Sequence, residues 1–147
     1  MDRNLETVKN IYAAFGRGEI AAILDCLADD VRWESWAANF AQAADVPWLR
    51  PRHDKTGVAE FFRIVGELHI RDFQVLNMMS NGVDSVSAEF VIEAEVPGGG
   101  RYRDEEMHLW TFNAEGKVQR LRHYTDTAKH IAASRGQDTI GGRVAAV

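Results

Sequence analysis

The chain of 147 residues holds one cysteine, three prolines, no excess of basic charge and no long apolar run. With Cys26 alone an intrachain disulfide is excluded, and a cytoplasmic location is the expectation that fits an unpaired thiol. Cys26 lies in an apolar helical stretch and reads as packing rather than as a nucleophile. The net charge of −5 argues against nucleic acid as a partner, because phosphate recognition needs a basic face. No segment approaches the roughly 18–20 apolar residues of a membrane span. The opening Met1-Asp2-Arg3-Asn4 runs straight into an amphipathic pattern without a basic-then-apolar leader. Gly98-Gly99-Gly100 joins two strand patterns and precedes no helix, so it is not a phosphate loop. No nucleophile elbow surrounds a serine. His108, His123 and Glu106 could converge on neighbouring strands, but no paired ligand spacing of the zinc kind is present, and neither a metal nor a cofactor is expected.

What is present is regular. Leu5, Val8, Ile11, Tyr12 and Phe15 recur at helical steps and predict a helix over 4–16, stopped by Gly16-Arg17-Gly18. Ile20, Ile23, Leu24 and Leu27 predict a second, short helix, and residues 31–36 a strand. Residues 37–54 are irregular, with Pro47 and Pro51 excluding a long element. They read as a flap over a pocket mouth, carrying Phe40, Trp48 and Leu49, with room for a helical turn in 37–45. Thr56-Gly57 opens a third helix whose apolar face is Val58, Phe61, Phe62, Val65 and Leu68. Four strand patterns follow, over 73–79, 83–96, 102–112 and 117–125. Asn81-Gly82 is a hairpin signal between the first two. In the second, Val86, Ala88, Phe90, Ile92, Ala94 and Val96 share one face. A short helix over 127–134 and a weakly ordered tail over 135–147 complete the chain. Helices early and strands late indicate an α+β class, in one domain over 1–134.

The order of these elements, with the residues in them, resembles the nuclear-transport-factor-2-like superfold. The matching pieces are Val8-Lys9-Asn10-Ile11-Tyr12-Ala13-Ala14-Phe15, Leu27-Ala28-Asp29-Asp30-Val31-Arg32-Trp33, Thr56-Gly57, Trp110-Thr111-Phe112-Asn113 with Gly116-Lys117-Val118, and Arg122-His123-Tyr124-Thr125-Asp126. They cover residues 5 to 130. Within the superfold the chain is similar to the SnoaL-like polyketide cyclases and the ketosteroid isomerases. The resemblance implies a cone-shaped curved mixed sheet wrapped around N-terminal helices and enclosing an apolar pocket. It also implies a small hydrophobic ligand and a homodimer. From the isomerases it places an oxyanion donor on Tyr12, a catalytic base at Ser35 beside Glu34, and a protonated acid at His108. From the cyclases it places a general acid/base on Asp126, near the end of the last strand, with His108 on a neighbouring strand.

Such chemistry is proton abstraction beside a carbonyl. The base needs a pKa near working pH, and burial against aromatics supplies the upward shift of a carboxylate. The enolate needs donors placed in advance. Asp126, His108 and Tyr12 are the catalytic candidates. Trp33, Glu34, Trp36, Phe61, Trp110 and Tyr124 are the candidates for the binding wall. Plainer roles stand beside these. Asp126 before Thr127 also fits a helix cap. His108 also fits a hydrogen-bonded core histidine, Tyr12 a packed helix residue, and Glu34 a solvent-facing charge. On strand parity His108 shares a face with Glu106, Trp110 and Phe112, while Tyr124 and Asp126 share one with Arg120 and Arg122. Both faces carry polar groups, so parity leaves the pocket side open. The function expected is cyclase- or isomerase-type acid/base catalysis on a hydrophobic carbonyl compound. The alternative is a non-catalytic ligand-binding or dimerisation module.

Overall fold

A computed structural model describes residues 2–36 and 38–140. The first helix, α1 (Arg3–Gly16), starts where the Asp2 carboxylate accepts the Leu5 N–H at 2.9 Å, an N-cap. It buries Val8, Ile11 and Ala14, and of the other helical-step residues Leu5, Tyr12 and Phe15 are partly buried against the same core. The turn after it needs Gly18, whose φ of 71° lies in the left-handed region that favours glycine. α2 (Ile20–Asp25) leads into β1 (Leu27–Ser35), which begins four residues earlier than its pattern predicts. The flap then holds one helical turn, α3 (Phe40–Ala43), and a 3₁₀ turn over Pro47–Leu49. Its Phe40 is exposed, whereas Trp48 and Leu49 are buried. A two-residue strand, β2 (Arg52–His53), precedes α4 (Asp54–Val65).

The rest is an antiparallel run: β3 (His69–Ser80), β4 (Ser85–Glu95), β5 (Arg101–Phe112) and β6 (Val118–Tyr124), followed by α5 (Thr127–Ser134). The strands form one six-stranded sheet in the order β2-β1-β6-β5-β4-β3. β1 lies parallel to β6 and every other pair is antiparallel. The sheet is mixed, curved and unclosed, and α1, α2 and α4 cover its concave side around Val8, Ile11, Ile23, Trp33, Val58 and Trp110. Burying one such side chain contributes about 1.5–3 kcal/mol. A second cluster joins Trp48, Leu49, Ile64, Phe90, Tyr102 and Ala133, so the flap and α5 are part of the core. Among the described residues no helix is long and apolar enough to cross a membrane.

After α5, residues 137–139 run beside the start of β5, where Arg101 N–H donates to Gln137 O at 3.1 Å and Thr139 N–H to Arg101 O at 3.0 Å. Gly141-Gly142 and the remainder to Val147 lie outside the described residues.

Candidate functional site

β5 is the central wall. Its even-numbered residues face the helices, and Tyr102, Asp104, Glu106, Trp110 and Phe112 are all buried on that face. Three consecutive inward positions, Asp104, Glu106 and His108, are ionisable. That is rare on the core face of a strand, because a buried charge needs partners. Here the partners come from other elements. His123 on β6 is the register partner of His108, and their rings lie 4.6 Å apart, edge to face. His130 projects from α5 and Trp48 from the flap.

The cluster has two arms. In the first, Glu106 Oε1 lies 2.6 Å from His123 Nε2, and Oε2 lies 2.6 Å from His130 Nε2. His130 Nε2 is also 3.1 Å from Asp104 Oδ2, which accepts the Asp126 backbone N–H at 3.0 Å. The Trp48 indole donates to His130 Nδ1 at 2.8 Å. An indole N–H only donates, so Nδ1 must offer a lone pair and the His130 proton sits on Nε2. Burial would raise the Glu106 pKa, but the two imidazoles overcome it and hold the carboxylate below its ordinary range. Burial would lower the His130 pKa, and Glu106 and Asp104 turn the shift upward. The indole opposes that rise, because imidazolium has no lone pair for it. The geometry therefore assigns the neutral Nε2–H tautomer. For Asp104, burial and the neighbouring Glu106 carboxylate raise the pKa, against the hydrogen bond from His130.

In the second arm, the Trp110 indole donates to the Tyr12 hydroxyl oxygen at 3.1 Å, and that hydroxyl lies 2.7 Å from His108 Nδ1. The Tyr12 oxygen already accepts the indole N–H, so its own O–H is assigned to Nδ1, which leaves the His108 proton on Nε2. Burial and the nearby His123 hold His108 well below the ordinary imidazole range, so it is neutral. Burial also raises the Tyr12 pKa, against the Trp110 hydrogen bond. Tyr12 therefore stays protonated, with its O–H engaged by His108.

Both arms border one cavity of about 80 Å³, walled otherwise by aromatic and aliphatic side chains from α1, α2, α4, β1, the flap and β3–β5. Among the expected residues, His108, Tyr12, Trp33, Phe61 and Trp110 line it; Asp126, Glu34, Trp36 and Tyr124 do not. Alternation explains most of the difference. Trp33 points inward, so Glu34 faces the other side, where Arg32 reaches it at 3.0 Å. His123 points inward, so Tyr124 does not, and Trp36 stacks on Tyr124 with centroids 5.3 Å apart. Asp126 is exposed and caps α5, its Oδ1 accepting the Ala128 N–H at 3.2 Å. Its link to the cluster is its backbone N–H, not its carboxylate.

Glu106, His123, His130, Asp104 and Trp48 were not among the candidates. Parity with Trp110 and Phe112 was a signal for Asp104 and Glu106. Nothing local in the sequence marks the meeting of Trp48 with His130, 82 positions apart.

Asp104, Glu106 and His130 place one ligand atom each within 4.8 Å of one another. They do not fit a metal in this arrangement. A cation on Nε2 would force the His130 proton to Nδ1, where the Trp48 N–H already points.

No curated protein matches the sequence. Solved structures do match the fold. An NTF2-like protein of unknown function from Burkholderia pseudomallei is 22% identical, with 90% of this chain and 98% of that chain covered and a TM-score of 0.77. SalBIII, an epoxide hydrolase/cyclase-like enzyme of pyran ring formation in the polyether salinomycin, is 16% identical over 86% of this chain and 92% of its own, at 0.66. RV0760c from Mycobacterium tuberculosis, solved with estradiol-17beta-hemisuccinate, is 17% identical over 84% of this chain and 94% of its own, at 0.66. At these identities the likeness is one of fold. The sequence profile of the SnoaL-like domain matches residues 8–121, most of the chain and all of β5, and the chain belongs to that family.

Proposed function

We propose that the protein is an acid/base enzyme of the cyclase or isomerase type, acting on a small hydrophobic carbonyl compound held in the central cavity. The observation that carries this reading is the Glu106–His123 pair on the wall of an otherwise apolar cavity, beside the neutral His108 held by Tyr12. A histidine whose Nε2–H is fixed by a buried carboxylate has its other nitrogen free as a base, and the carboxylate stabilises the imidazolium that forms. His123 Nδ1 takes a proton from the carbon beside the carbonyl. The C–H electron pair becomes the enolate double bond, and the carbonyl oxygen becomes the anion. The His108 Nε2–H is a donor for that anion, pre-set in a site that excludes water. Return of the proton at another carbon gives isomerisation; attack of the enolate carbon on a second carbonyl gives ring closure. Ser35, the base position implied by the resemblance, is the backbone register partner of His123, so the proposed base stands one strand away from the expected one.

The test is hydrogen–deuterium exchange at the α-carbons of 2-pentanone in D₂O, followed by proton NMR. The protein is expected to accelerate exchange above the buffer rate, and His123→Gln to remove about 10²-fold or more of that acceleration, the ordinary range of general acid–base catalysis. Exchange at the buffer rate with the ketone bound would sink the catalytic reading and leave a binding protein.

A further inference from the structure

The central cavity poses a size problem. Its volume of about 80 Å³ falls short of the roughly 150 Å³ that accommodates a benzene ring. A hydrophobic ligand of ordinary size therefore needs a wall that moves, and three observations single out Trp48. First, Trp48 lines the central cavity, a second space of about 160 Å³ behind it with Pro47, Ile64, Glu67, Leu68, Pro97 and Ser134, and a shallow opening with Glu34, Arg50 and His123. It alone borders all three. Second, its one polar tether is the indole bond to His130, although it is 94% buried, with a relative exposure of 6%. Third, the three non-glycine residues with left-handed backbone among the described residues, Ala38 (φ 57°), Asp45 (φ 56°) and Asp54 (φ 58°), lie at the start, middle and end of the flap that carries it. Conformations of that kind cost energy and concentrate at segments that switch.

We propose that the Trp48 indole is a movable partition, latched to His130, that separates the central cavity from the space behind it and sets the length of ligand the protein accepts. The inference rests on reading the central cavity as a ligand site and adds its specificity determinant. With the indole in place the cavity admits a short apolar carbonyl compound. With the indole displaced the two spaces join, and a ligand with a longer apolar tail reaches between Ile64 and Pro97.

Affinities of the 2-alkanones from butanone to dodecanone, measured by calorimetry, test it. Each buried methylene tightens binding by about fourfold until the chain meets a wall. In the wild type that gain is expected to stop where the chain reaches the indole. In Trp48→Ala it is expected to continue for several further carbons. Trp33→Ala removes a ring of the same size from the same cavity without opening the space behind, and its break is expected well short of that of Trp48→Ala. Equal breaks in the two variants would overturn the partition while leaving the ligand cavity intact. No alkanone binding to any form would overturn both. Should Trp48→Ala not fold, the wild type labelled with 5-fluorotryptophan decides by ¹⁹F NMR. Alkanones beyond the break are expected to shift the Trp48 resonance and shorter ones to leave it. An unmoved Trp48 signal with a long alkanone bound would overturn the proposal.

Discussion

Gly100→Ala is expected to destabilise the protein by about 3 kcal/mol, the upper end of the usual cost of overpacking. Gly100 is buried at the end of the turn into β5, and a Cβ built on it would stand 1.9 Å from Ala133 O, 2.6 Å from Ala133 C and 2.9 Å from Ala133 Cα. These are backbone atoms of α5, so no side chain can swing aside. Relief requires α5 to lift from the sheet, and α5 carries His130. The loss of stability should therefore come with loss of the Trp48–His130 contact, visible as a change in indole fluorescence under native conditions. Gly16→Ala is the control. Its Cβ would meet nothing within 4 Å, and at the end of α1 alanine should hold or raise stability by up to about 1 kcal/mol. Urea unfolding of both variants checks this. A Gly100→Ala midpoint equal to that of the wild type would mean that α5 does not sit where the structure places it.

Glu106→Gln should damage both stability and chemistry, and Asp126→Asn neither to a comparable degree. Glu106 accepts from two imidazoles within the core, and leaving a buried donor without its acceptor costs about 1–3 kcal/mol. An amide also presents N–H where Nε2–H of His123 or His130 already points, so one of the two rings must turn or change tautomer. With His123 no longer backed by a carboxylate, α-proton exchange is expected to fall about 10²-fold or more. Asp126 offers only a cap. An asparagine caps a helix nearly as well as an aspartate, so Asp126→Asn should change stability by less than about 1 kcal/mol and leave exchange within a factor of two or so. Parallel thermal melts and exchange rates of the two variants separate the two carboxylates. Loss of exchange in Asp126→Asn with Glu106→Gln active would reverse the assignment.

The contrast between those residues shows where the sequence was legible. Strand parity placed Val86, Ala88, Phe90, Ile92, Ala94 and Val96 on one face, and all six are buried. The fold could be read because periodicity is a local property, repeated over many residues. Parity also tied His108 to Glu106, Trp110 and Phe112, and all of these but Phe112 line the cavity. What it could not supply was the side of the sheet, because β6 carries arginines on one face and a histidine on the other. The side is decided by α1, which packs Tyr12 against His108 and Trp110. The flap and α5 were the least legible. Trp48 sits in a segment without periodicity, and His130 in a helix of eight residues. Their meeting depends on the docking of both against β5, a tertiary outcome. Asp126 drew attention as a strand-end carboxylate, yet the same position is an N-cap, and the helix that follows uses it as one.

The central claim concerns where the imidazole protons sit, and two-bond ¹H–¹⁵N correlation NMR on ¹⁵N-histidine-labelled protein reads that directly. His108, His123 and His130 are expected with a proton on Nε2, and His130 is expected to lose that signature in Trp48→Phe, which keeps the ring but removes the indole donor. A proton on Nδ1 of His123 would leave no free base beside the cavity and would contradict the account.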